Sequence, residues 1–267
     1  MPLERSFLFV PGDRPDRFTK ALAAGADRVI IDLEDAVLPH AKGAARNHIA
    51  NWAAAARNQD VAVRVNAIDT IWNNDDLRLV AELPNVTVVL LHKAESRGAL
   101  EAIAVRIGVN RRLIALIETV RGYIDRHALA RSAGLTRLAF GSVDFCAETG
   151  IRGLGAELDA VRLELVIASA AAGLPAPVDG VTIDAKNAVL LAEDINRAYR
   201  LGFGGKLCIH PGQVAAVNEG FAPSANEINW AERVIAASQA SGAVTVDGKL
   251  VDKPVVEQAR KALARRR

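Results

Sequence analysis

The stretch Leu113-Ile114-Ala115-Leu116-Ile117-Glu118-Thr119 decides the fold class. Five apolar residues follow one another without alternation, and an acidic residue ends the run. An unbroken apolar run of this length is typical of a parallel strand that is buried on both faces, whereas a strand with one wet face alternates. We therefore predict a buried strand over 113–117 with Glu118 at its carboxyl end.

Further short apolar runs lie on both sides of this strand, and helical patterns separate most of them. The predicted strands are Ser6–Val10, Arg28–Leu33, Val61–Val65, Thr87–Leu91, Leu113–Ile117, Leu138–Phe140, Val178–Val181 and Lys206–Ile209. The predicted helices are Pro15–Ala24, Lys42–Arg57, Ser96–Ile107, Arg121–Ala133, Glu157–Ala172 and Asn187–Leu201. Strands that alternate with helices indicate a parallel sheet, and eight strands predict a closed (β/α)8 TIM barrel.

An open doubly wound sheet is the alternative fold. Such sheets commonly carry Gly-x-Gly-x-x-Gly after the first strand, where this chain has Pro11-Gly12-Asp13-Arg14. The length of 267 residues also suits one barrel. Both observations favour the barrel.

The pattern changes after the eighth strand. The predicted elements there are a helix over Ala225–Ser241, a β-hairpin over Val244–Val251 with an Asp247-Gly248 turn, and a basic helix from Pro254. We predict that residues 1–222 form the barrel and that 223–267 form a helix–hairpin–helix appendage. Such an appendage either covers its own barrel or contacts a neighbouring subunit, and we expect the second.

Composition excludes several classes of protein. Lys and Arg number 33 and Asp and Glu 31, so the formal charge of +2 gives no reason to expect nucleic-acid or membrane-surface binding. No apolar run reaches the roughly 18–20 residues of a membrane span. Met1–Arg5 lacks the basic-then-apolar order of a signal peptide. We expect a cytoplasmic enzyme with free thiols at Cys146 and Cys208.

Polar residues cluster where the predicted strands end. In this fold the reaction chemistry lies at the carboxyl ends of the strands, so these side chains are expected to converge on one mouth. They are Asp32, Glu34, Asp35, Arg64, Asn66, His92, Lys93, Glu95, Glu118, Thr119, Ser142, Asp144, Asp179, Asp184 and His210.

Glu118 and Asp144 follow neighbouring strands of the predicted barrel. Neighbouring strands lie about 5 Å apart, and two carboxylates at that separation repel unless a cation lies between them or one is protonated. Mg²⁺ prefers oxygen ligands and is often held by one or two carboxylates with waters and substrate. We predict that these two residues bind Mg²⁺, and that Glu118 thereby contacts substrate. The alternative is that each acid caps the next helix.

Arg64 lies at the end of an apolar strand. Its guanidinium suits a carboxylate or a phosphate, so we predict that it binds the substrate. The alternative, an internal ion pair with Glu34 or Asp35, is compatible with that role. Glu34 and Asp35 are expected to hold waters around the cation. Lys93 is expected to lie around the site with Glu34 and Asp35 and either to contact the substrate as Arg64 does or to pair with Glu118. The surrounding carboxylates disfavour a Schiff-base role for it.

Two histidines also follow predicted strands. His210 precedes Pro211 and is expected to be structural, whereas His92 is either a general base or a structural hydrogen-bonding group. The histidines lack the spacing of zinc ligands and the cysteines are far apart, which disfavours zinc.

At these residues the chain resembles the citrate lyase β-chain family, which includes malyl-CoA and citramalyl-CoA lyases and is related to the HpcH/HpaI aldolases. The matching motifs span nearly the whole chain. They are Arg5-Ser6-Phe7-Leu8-Phe9-Val10-Pro11-Gly12, Gly25-Ala26-Asp27, Asp32-Leu33-Glu34-Asp35-Ala36-Val37, Lys42 with Arg46, Arg64-Val65-Asn66, Ile117-Glu118-Thr119, Phe140-Gly141-Ser142-Val143-Asp144, the run from Gly202 to Gln213, and the run from Asp247 to Pro254. His92, Ala67 and Glu148 depart from the usual family pattern.

The resemblance implies a barrel that assembles as a homotrimer or a related oligomer. It implies Mg²⁺ on Glu118 and Asp144, with a 2-oxo acid bound by Arg64 and the metal. It also implies that Asp252 of a neighbouring subunit enters the site as a catalytic residue.

The resemblance further implies a thioester substrate, with coenzyme A phosphates near Arg14, Arg17 and Lys20. We therefore expect a Mg²⁺-dependent carbon–carbon lyase that acts on a 3-hydroxyacyl thioester of the citryl-, malyl- or citramalyl-CoA type and releases an acyl thioester and a 2-oxo acid.

Four rivals remain open: a citrate lyase β chain that acts on an acyl-carrier-protein thioester, a metal-dependent pyruvate aldolase, a non-catalytic CoA-thioester-binding protein, and a phosphate-binding barrel enzyme. The last is disfavoured because the glycines of Gly202-Phe203-Gly204-Gly205 precede the eighth strand and suit a tight turn better than a phosphate cradle.

Overall fold

The structure, a computed structural model, describes residues 3–56, 58–239 and 245–266. These residues fall into two compact units. One unit is Glu4–Asn218, and the other contains the described residues of Met1–Leu3 and Glu219–Arg267.

The first unit is a closed barrel of eight parallel strands, which confirms the predicted fold class. Each strand pairs with the next in sequence, and the eighth pairs with the first. The strands are β1 Ser6–Pro11, β2 Arg28–Asp32, β3 Val61–Val65, β4 Val86–Leu91, β5 Arg112–Ile117, β6 Leu135–Phe140, β7 Val178–Asp179 and β8 Gly205–Cys208. The mainly apolar runs become strands that are buried on both faces, as their composition predicts.

Helices surround the barrel and follow its strands. They are α1 Phe18–Leu22, α2 Lys42–Ala55, α3 Asn73–Glu82, α4 Arg97–Ile107, α5 Val120–Ile124, α6 Arg126–Ala130, α7 Ser142–Thr149, α8 Asp159–Ala171, α9 Ala188–Leu201 and α10 Val214–Gly220. Hydroxyl and amide side chains begin three of them, since Ser96, Thr119 and Asn187 each accept a hydrogen bond from a backbone N–H in the first turn.

Several predicted helices differ from those in the structure. The helix predicted over Arg121–Ala133 is two short helices, α5 and α6, which meet at Asp125. The helix predicted from Pro15 begins with a 3₁₀ turn and becomes α-helical only at Phe18. Three helices, α3, α7 and α10, were not predicted at all, and α7 carries Asp144.

The barrel interior is filled by alternate residues of the strands. The inward cluster contains Phe7, Ile30, Ala62, Val88, Leu90, Ile114, Leu116, Ala139, Val178 and Leu207. Because side chains alternate along a strand, the next inward position lies two residues further along. For β2 to β6 that position holds Asp32, Arg64, His92, Glu118 and Gly141. The alternation of side chains therefore places these five residues in one ring, directly above the apolar core.

Asp179 does not belong to this ring, contrary to the prediction that it joins the mouth. Val178 faces inward, so Asp179 faces the helix layer, where Arg162 Nε donates to its Oδ1 at 2.9 Å. Lys206 Nζ lies 3.3 Å from its Oδ2 and donates to the Gly180 carbonyl at 2.6 Å. Burial raises the pKa of Asp179, but the two cations outweigh it and hold that pKa below its usual range. The group is a buried structural ion-pair network.

The second unit contains a helix, a two-stranded hairpin and a final helix, as the sequence predicts. Its elements are α11 Ala225–Ala237, β9 Thr245–Val246, β10 Lys249–Leu250 and α12 Lys253–Ala264. Asp247 and Gly248 both have positive φ, 53° and 75°, which is the geometry of the Asp-Gly hairpin turn. Val244, the first residue of the predicted hairpin, and Ala240 and Ser241 of the predicted helix lie outside the described residues.

A small apolar core holds the second unit together. Ala231 and Val234 of α11 and Ala259 of α12 are fully buried, and Trp230 and Val246 pack against them. None of the helices in the described part of the chain has the length and apolarity needed to cross a membrane.

Candidate active site

A cavity of about 400 Å³ opens at the carboxyl ends of the barrel strands. Apolar side chains from five strands and their loops line part of it, including Phe9, Leu116, Phe140, Val181 and Leu207. Its ionisable lining residues are Asp32, Asp35, Arg64, Glu118 and Asp144. The cavity therefore brings together one arginine and four carboxyl groups, including both predicted metal ligands.

Glu118 is held rigidly at the end of β5, where it is only 2% exposed. The backbone N–H of Lys93 donates to its Oε1 at 2.8 Å, and Lys93 adopts a left-handed backbone with φ of 47°. Such a conformation is uncommon for a residue with a side chain. It is the backbone of Lys93 that contacts Glu118, while the Lys93 side chain is exposed, which corrects the predicted ion pair.

Gly141 makes room for Glu118 on the neighbouring strand end. A Cβ atom at this glycine would collide with the Cβ and Oε2 atoms of Glu118. Any larger residue would push the carboxylate away from its place in the cavity wall.

Asp144 lies in the first turn of α7 and is half-buried. Burial raises the pKa of Asp144 above its usual range, and the charges of Glu118 and Asp35 raise it further. Helix N-termini favour negative charge, so this end of α7 suits an anionic side chain. The crowding of carboxylates around Asp144 is the electrostatic condition that a bound cation relieves.

Neither predicted metal ligand caps a helix, which removes the alternative reading of these two acids. The first turn of α5 is capped by Thr119, whose Oγ1 accepts from the Gly122 N–H at 3.0 Å. Helix α7 begins at Gly141 and has no side-chain cap.

Arg64 makes its main contact with Asp32, a partner that was not predicted for it. Its Nε donates to Asp32 Oδ1 at 2.7 Å and its Nη2 to Asp32 Oδ2 at 2.6 Å. Its Nη1 lies 3.1 Å from Glu34 Oε2 and 3.4 Å from Asp35 Oδ2, so the predicted internal ion pairs are also present. The guanidinium lies over the Phe9 ring, with 4.9 Å to the ring centroid. Arg64 is thus held in one orientation beside the cavity.

Glu34 and Asp35 titrate differently although they are adjacent. Burial and the hydrogen bond with Asp35 raise the pKa of Glu34 to about 7, although the charge of Arg64 opposes this. Burial also raises the pKa of Asp35, but the hydrogen bond from Glu34 and the charge of Arg64 outweigh it and leave that pKa below its usual range. Of the two carboxyl groups, Glu34 therefore holds a proton more tightly than Asp35 does.

His92 and His210 occupy different environments. His92 is 4% exposed, and its Nδ1 lies 3.3 Å from Glu118 Oε1 and 3.4 Å from Glu34 Oε1. His210 Nδ1 accepts from the Gly212 N–H at 3.0 Å and so caps the turn after β8. This geometry agrees with the structural role predicted for His210.

The residues predicted to bind coenzyme A, and the predicted catalytic residue Asp252, are exposed. Arg14 makes two hydrogen bonds with Asp16, while the side chains of Arg17, in the 3₁₀ turn before α1, and of Lys20, in α1, are exposed. Asp252 is exposed in the second unit, where its Oδ1 accepts from the Val255 N–H at 3.1 Å and caps α12. The predicted coenzyme A and catalytic roles of these residues stay predictions.

The donor set fits a hard, oxygen-binding divalent cation better than a metal that prefers thiolate or imidazole ligands. No cluster of three or more His, Cys, Asp or Glu side chains arranged for a metal occurs among residues 3–56, 58–239 and 245–266. Mg²⁺ is commonly bound by one or two carboxylates and completes its shell with water and substrate oxygens. Cys146 and Cys208 are free thiols, as predicted, and neither lines the cavity.

The chain belongs to the HpcH/HpaI aldolase/citrate lyase family, whose model matches residues 5–211. It is 37% identical to the citrate lyase subunit beta-like protein of Mycobacterium tuberculosis (strain H37Rv), over 97% of this chain and 94% of that protein. It is 34% identical to the (3S)-malyl-CoA thioesterase of Cereibacter sphaeroides (strain ATCC 17023), over 98% of this chain and 94% of that protein.

A solved structure has the same fold. The chain superposes with a TM-score of 0.82 on the CitE protein of Mycobacterium tuberculosis in complex with magnesium, acetoacetate and coenzyme A. Sequence identity is 35%, with 98% of this chain and 97% of that chain covered.

Two features of the site escaped the sequence-based prediction: Asp32 as the partner of Arg64, and Gly141 as the space for Glu118. Both follow from strand alternation. Asp32 lies two residues after the inward-facing Ile30, and Gly141 two residues after Ala139. Because inward-facing positions recur every second residue along a strand, this spacing identifies Asp32 and Gly141 as residues that face the cavity.

Proposed function

We propose that the protein is a Mg²⁺-dependent carbon–carbon lyase that cleaves a 3-hydroxyacyl coenzyme A thioester into an acyl thioester and a 2-oxo acid. The observation that carries this proposal is the shared lining of one cavity by Arg64, Glu118 and Asp144 in a member of this family. The proposal is further supported by the related CitE structure, which holds magnesium, acetoacetate and coenzyme A.

Glu118 and Asp144 would hold the cation. Bound there, Mg²⁺ supplies a Lewis acid that stabilises negative charge on the keto-acid oxygens. Burial and the charges of Glu118 and Asp35 raise the pKa of Asp144, and a cation bound beside it would oppose that shift. Glu34 and Asp35 would orient waters at the rim of this site.

Arg64 would bind the carboxylate of the 2-oxo acid. Its Nε and one N–H of Nη2 bond Asp32, and Nη1 lies 3.1 Å from Glu34 Oε2 and 3.4 Å from Asp35 Oδ2. The donors that would reach the substrate are therefore the second N–H of Nη2 and an N–H of Nη1. Asp32 and the Phe9 ring fix the guanidinium plane before substrate arrives, which lowers the entropy lost on binding. Arg64 would also keep the keto carbon close to the reacting acyl carbon.

The bond that breaks joins the hydroxyl-bearing carbon to the carbon next to the thioester. The hydroxyl proton passes to water at the mouth of the cavity, the carbonyl of the 2-oxo acid forms, and the electron pair of the broken bond passes to the acyl carbon as a thioester enolate. Asp252 of a neighbouring subunit would then protonate that carbon as a general acid. Arg14, Arg17 and Lys20 would bind the phosphates of coenzyme A.

This assignment needs an oligomer, and we propose a homotrimer in which the segment 223–267 contacts the neighbouring subunit. Complementation tests it. Glu118→Gln and Asp252→Asn protomers are each expected to be inactive alone, whereas mixed oligomers would contain some sites with both residues intact. Activity regained on co-expression supports the shared site, and its absence in proven mixed oligomers argues against it.

The experiment that tests the reaction is a substrate matrix. Acetyl-CoA and propionyl-CoA are each incubated with glyoxylate, oxaloacetate and pyruvate, with Mg²⁺ or with excess EDTA, and new CoA thioesters are detected by mass spectrometry. We expect one combination of an acyl-CoA with a 2-oxo acid to give a 3-hydroxyacyl-CoA, and to do so only when Mg²⁺ is present. Absence of such a product for wild-type protein, or equal product in EDTA and with Glu118→Gln, would contradict the proposal. A metal-dependent pyruvate aldolase would react without coenzyme A.

Thioester hydrolysis is a second candidate, favoured by the similarity to proteins named (3S)-malyl-CoA thioesterase. The products separate the two reactions. A lyase acting on malyl-CoA releases a 2-oxo acid and leaves coenzyme A acylated, whereas a thioesterase releases a free thiol and malate. A thiol reagent and a keto-acid reagent used in parallel therefore decide between them.

A further inference from the structure

His92 lies next to the proposed cation ligand Glu118 and has no role in the proposed mechanism. It directly follows β4 and points inward at the level of Glu118, because Leu90 and Leu116 are both inward residues of the core. Its Nδ1 lies 3.3 Å from Glu118 Oε1 and 3.4 Å from Glu34 Oε1. One ring nitrogen therefore lies between two carboxyl groups.

The contact with Glu118 favours a proton on Nδ1. An ionised carboxylate only accepts hydrogen bonds, so a lone pair on Nδ1 would be repelled by Glu118. The other ring nitrogen, Nε2, is buried and has no hydrogen-bond partner in the described part of the chain. Among the described residues, the imidazole therefore makes its polar contacts through Nδ1, with the carboxyl groups of Glu118 and Glu34.

The two oxygens of Glu118 have different surroundings. Oε1 receives the Lys93 N–H at 2.8 Å and lies beside His92 Nδ1. Oε2 lies against Gly141, a residue of the cavity lining. Holding one oxygen from two sides orients the carboxylate and leaves the other oxygen on the cavity side.

We propose that His92 is a positioning residue that orients Glu118 for divalent cation binding and ties it to Glu34. The proposal rests on the proposed function, since it takes Glu118 as a cation ligand. Groups that orient a metal ligand typically change metal affinity by about 10–100-fold when removed. We expect the lower end of that range, because the Lys93 N–H still holds Glu118 when His92 is replaced.

The test is the affinity of the intact protein for Mn²⁺, used as a paramagnetic probe for the Mg²⁺ site and measured by electron paramagnetic resonance without substrate. The matched pair is His92→Asn and His92→Leu, whose side chains have nearly the same size and shape. Asparagine places an N–H donor close to the position of Nδ1, and leucine places none. We expect His92→Asn to bind Mn²⁺ within about threefold of wild type and His92→Leu about 10-fold more weakly.

Controls separate positioning from general stability. His48→Leu, in α2 and outside the cavity lining, is expected to leave Mn²⁺ affinity unchanged. If His92→Leu does not fold, His92→Gln decides, because its longer side chain carries the donor past the Nδ1 position and is expected to weaken Mn²⁺ binding. Thermal unfolding without metal shows which variants are folded.

Each outcome has one meaning. Equal Mn²⁺ affinity in wild type and His92→Leu, or near-normal affinity in His92→Gln, would overturn the positioning role. Equal weakening by asparagine and leucine would overturn it too, since the donor would then be irrelevant. Failure of wild-type protein itself to bind Mn²⁺ would instead refute the proposed function.

Discussion

Asp32 and Arg64 are direct register partners on β2 and β3, and their side chains make two parallel hydrogen bonds of 2.7 and 2.6 Å at the mouth of the barrel. The pair is buried, and Asp32 also accepts from the backbone N–H groups of Glu34 and Ala36. The same carboxylate therefore orients Arg64 and shapes the loop that carries Glu34. The orientation of Arg64 and the geometry of this loop are linked through this one ion pair.

Arg64→Lys is expected to weaken 2-oxo acid binding about 10–100-fold, because a lysine cannot satisfy Asp32 with two parallel bonds and still offer a donor to substrate. Isothermal titration of pyruvate or acetoacetate into the Mg²⁺-loaded protein measures this. Mn²⁺ affinity without keto acid is the control and should change little. Keto-acid affinity equal to that of wild type would show that Arg64 has no role in binding.

Glu34→Gln is expected to flatten the pH dependence of stability in the metal-free protein. The pKa of Glu34 is about 7 in the folded chain against an ordinary value of 4.5. Between these values the folded chain keeps a proton that the unfolded chain has lost, so this group makes stability fall as pH rises. Glutamine keeps the shape of the protonated carboxyl and does not titrate.

Urea unfolding of wild type and Glu34→Gln at several pH values, in EDTA, isolates the contribution of this carboxyl. The difference in unfolding free energy should change steadily between about pH 4.5 and 7 and be constant outside that window. A difference that is independent of pH would mean that Glu34 has an ordinary pKa.

Asp179→Asn is expected to destabilise the protein by about 3–5 kcal/mol, because it leaves Arg162 and Lys206 buried without their carboxylate. The matched control is Asp184→Asn on the exposed loop after β7, which should fall within about 0.5 kcal/mol of wild type. Chemical denaturation compares them. If the Asp179→Asn variant were as stable as wild type but catalytically inactive, Asp179 would belong to the active site, as predicted from the sequence.

Asp252→Asn is expected to lower turnover about 10²–10⁴-fold while leaving stability and Mn²⁺ affinity unchanged. Asparagine caps a helix about as well as aspartate, so α12 keeps its N-terminal hydrogen bond with Val255. Asp252→Ala loses the cap as well and should also lower stability by about 1 kcal/mol. Steady-state kinetics decides, and near-normal turnover in the asparagine variant would rule out proton transfer by Asp252.

The sequence predicts the barrel well because its evidence is local. The buried parallel strands are short, mainly apolar segments, and Val61–Val65 coincides with β3 in the structure. Helices are less well predicted. The first turn of α3 is Asn-Asn-Asp-Asp, which gives little apolar periodicity. The first residues of α7 include Ser142 and Asp144, which were predicted from the sequence only as polar residues that follow a strand.

The site is only partly predictable from sequence, because proximity to a strand end does not give the direction of a side chain. Glu118 and Arg64 face inward, whereas Asp179 faces the helices. Partner choice is a further tertiary property. Asp32 is nearer to Arg64 than Glu34 or Asp35 only because β2 and β3 are in that register.

The binding of one cation by Glu118 and Asp144 is the claim on which the whole account depends. An anomalous difference map from a crystal soaked in Mn²⁺ and pyruvate measures it directly. We predict a single strong peak about 2 Å from a carboxylate oxygen of each residue, with the pyruvate oxygens completing the coordination. A map without a peak between Glu118 and Asp144, from a crystal in which pyruvate is visible, would contradict the account.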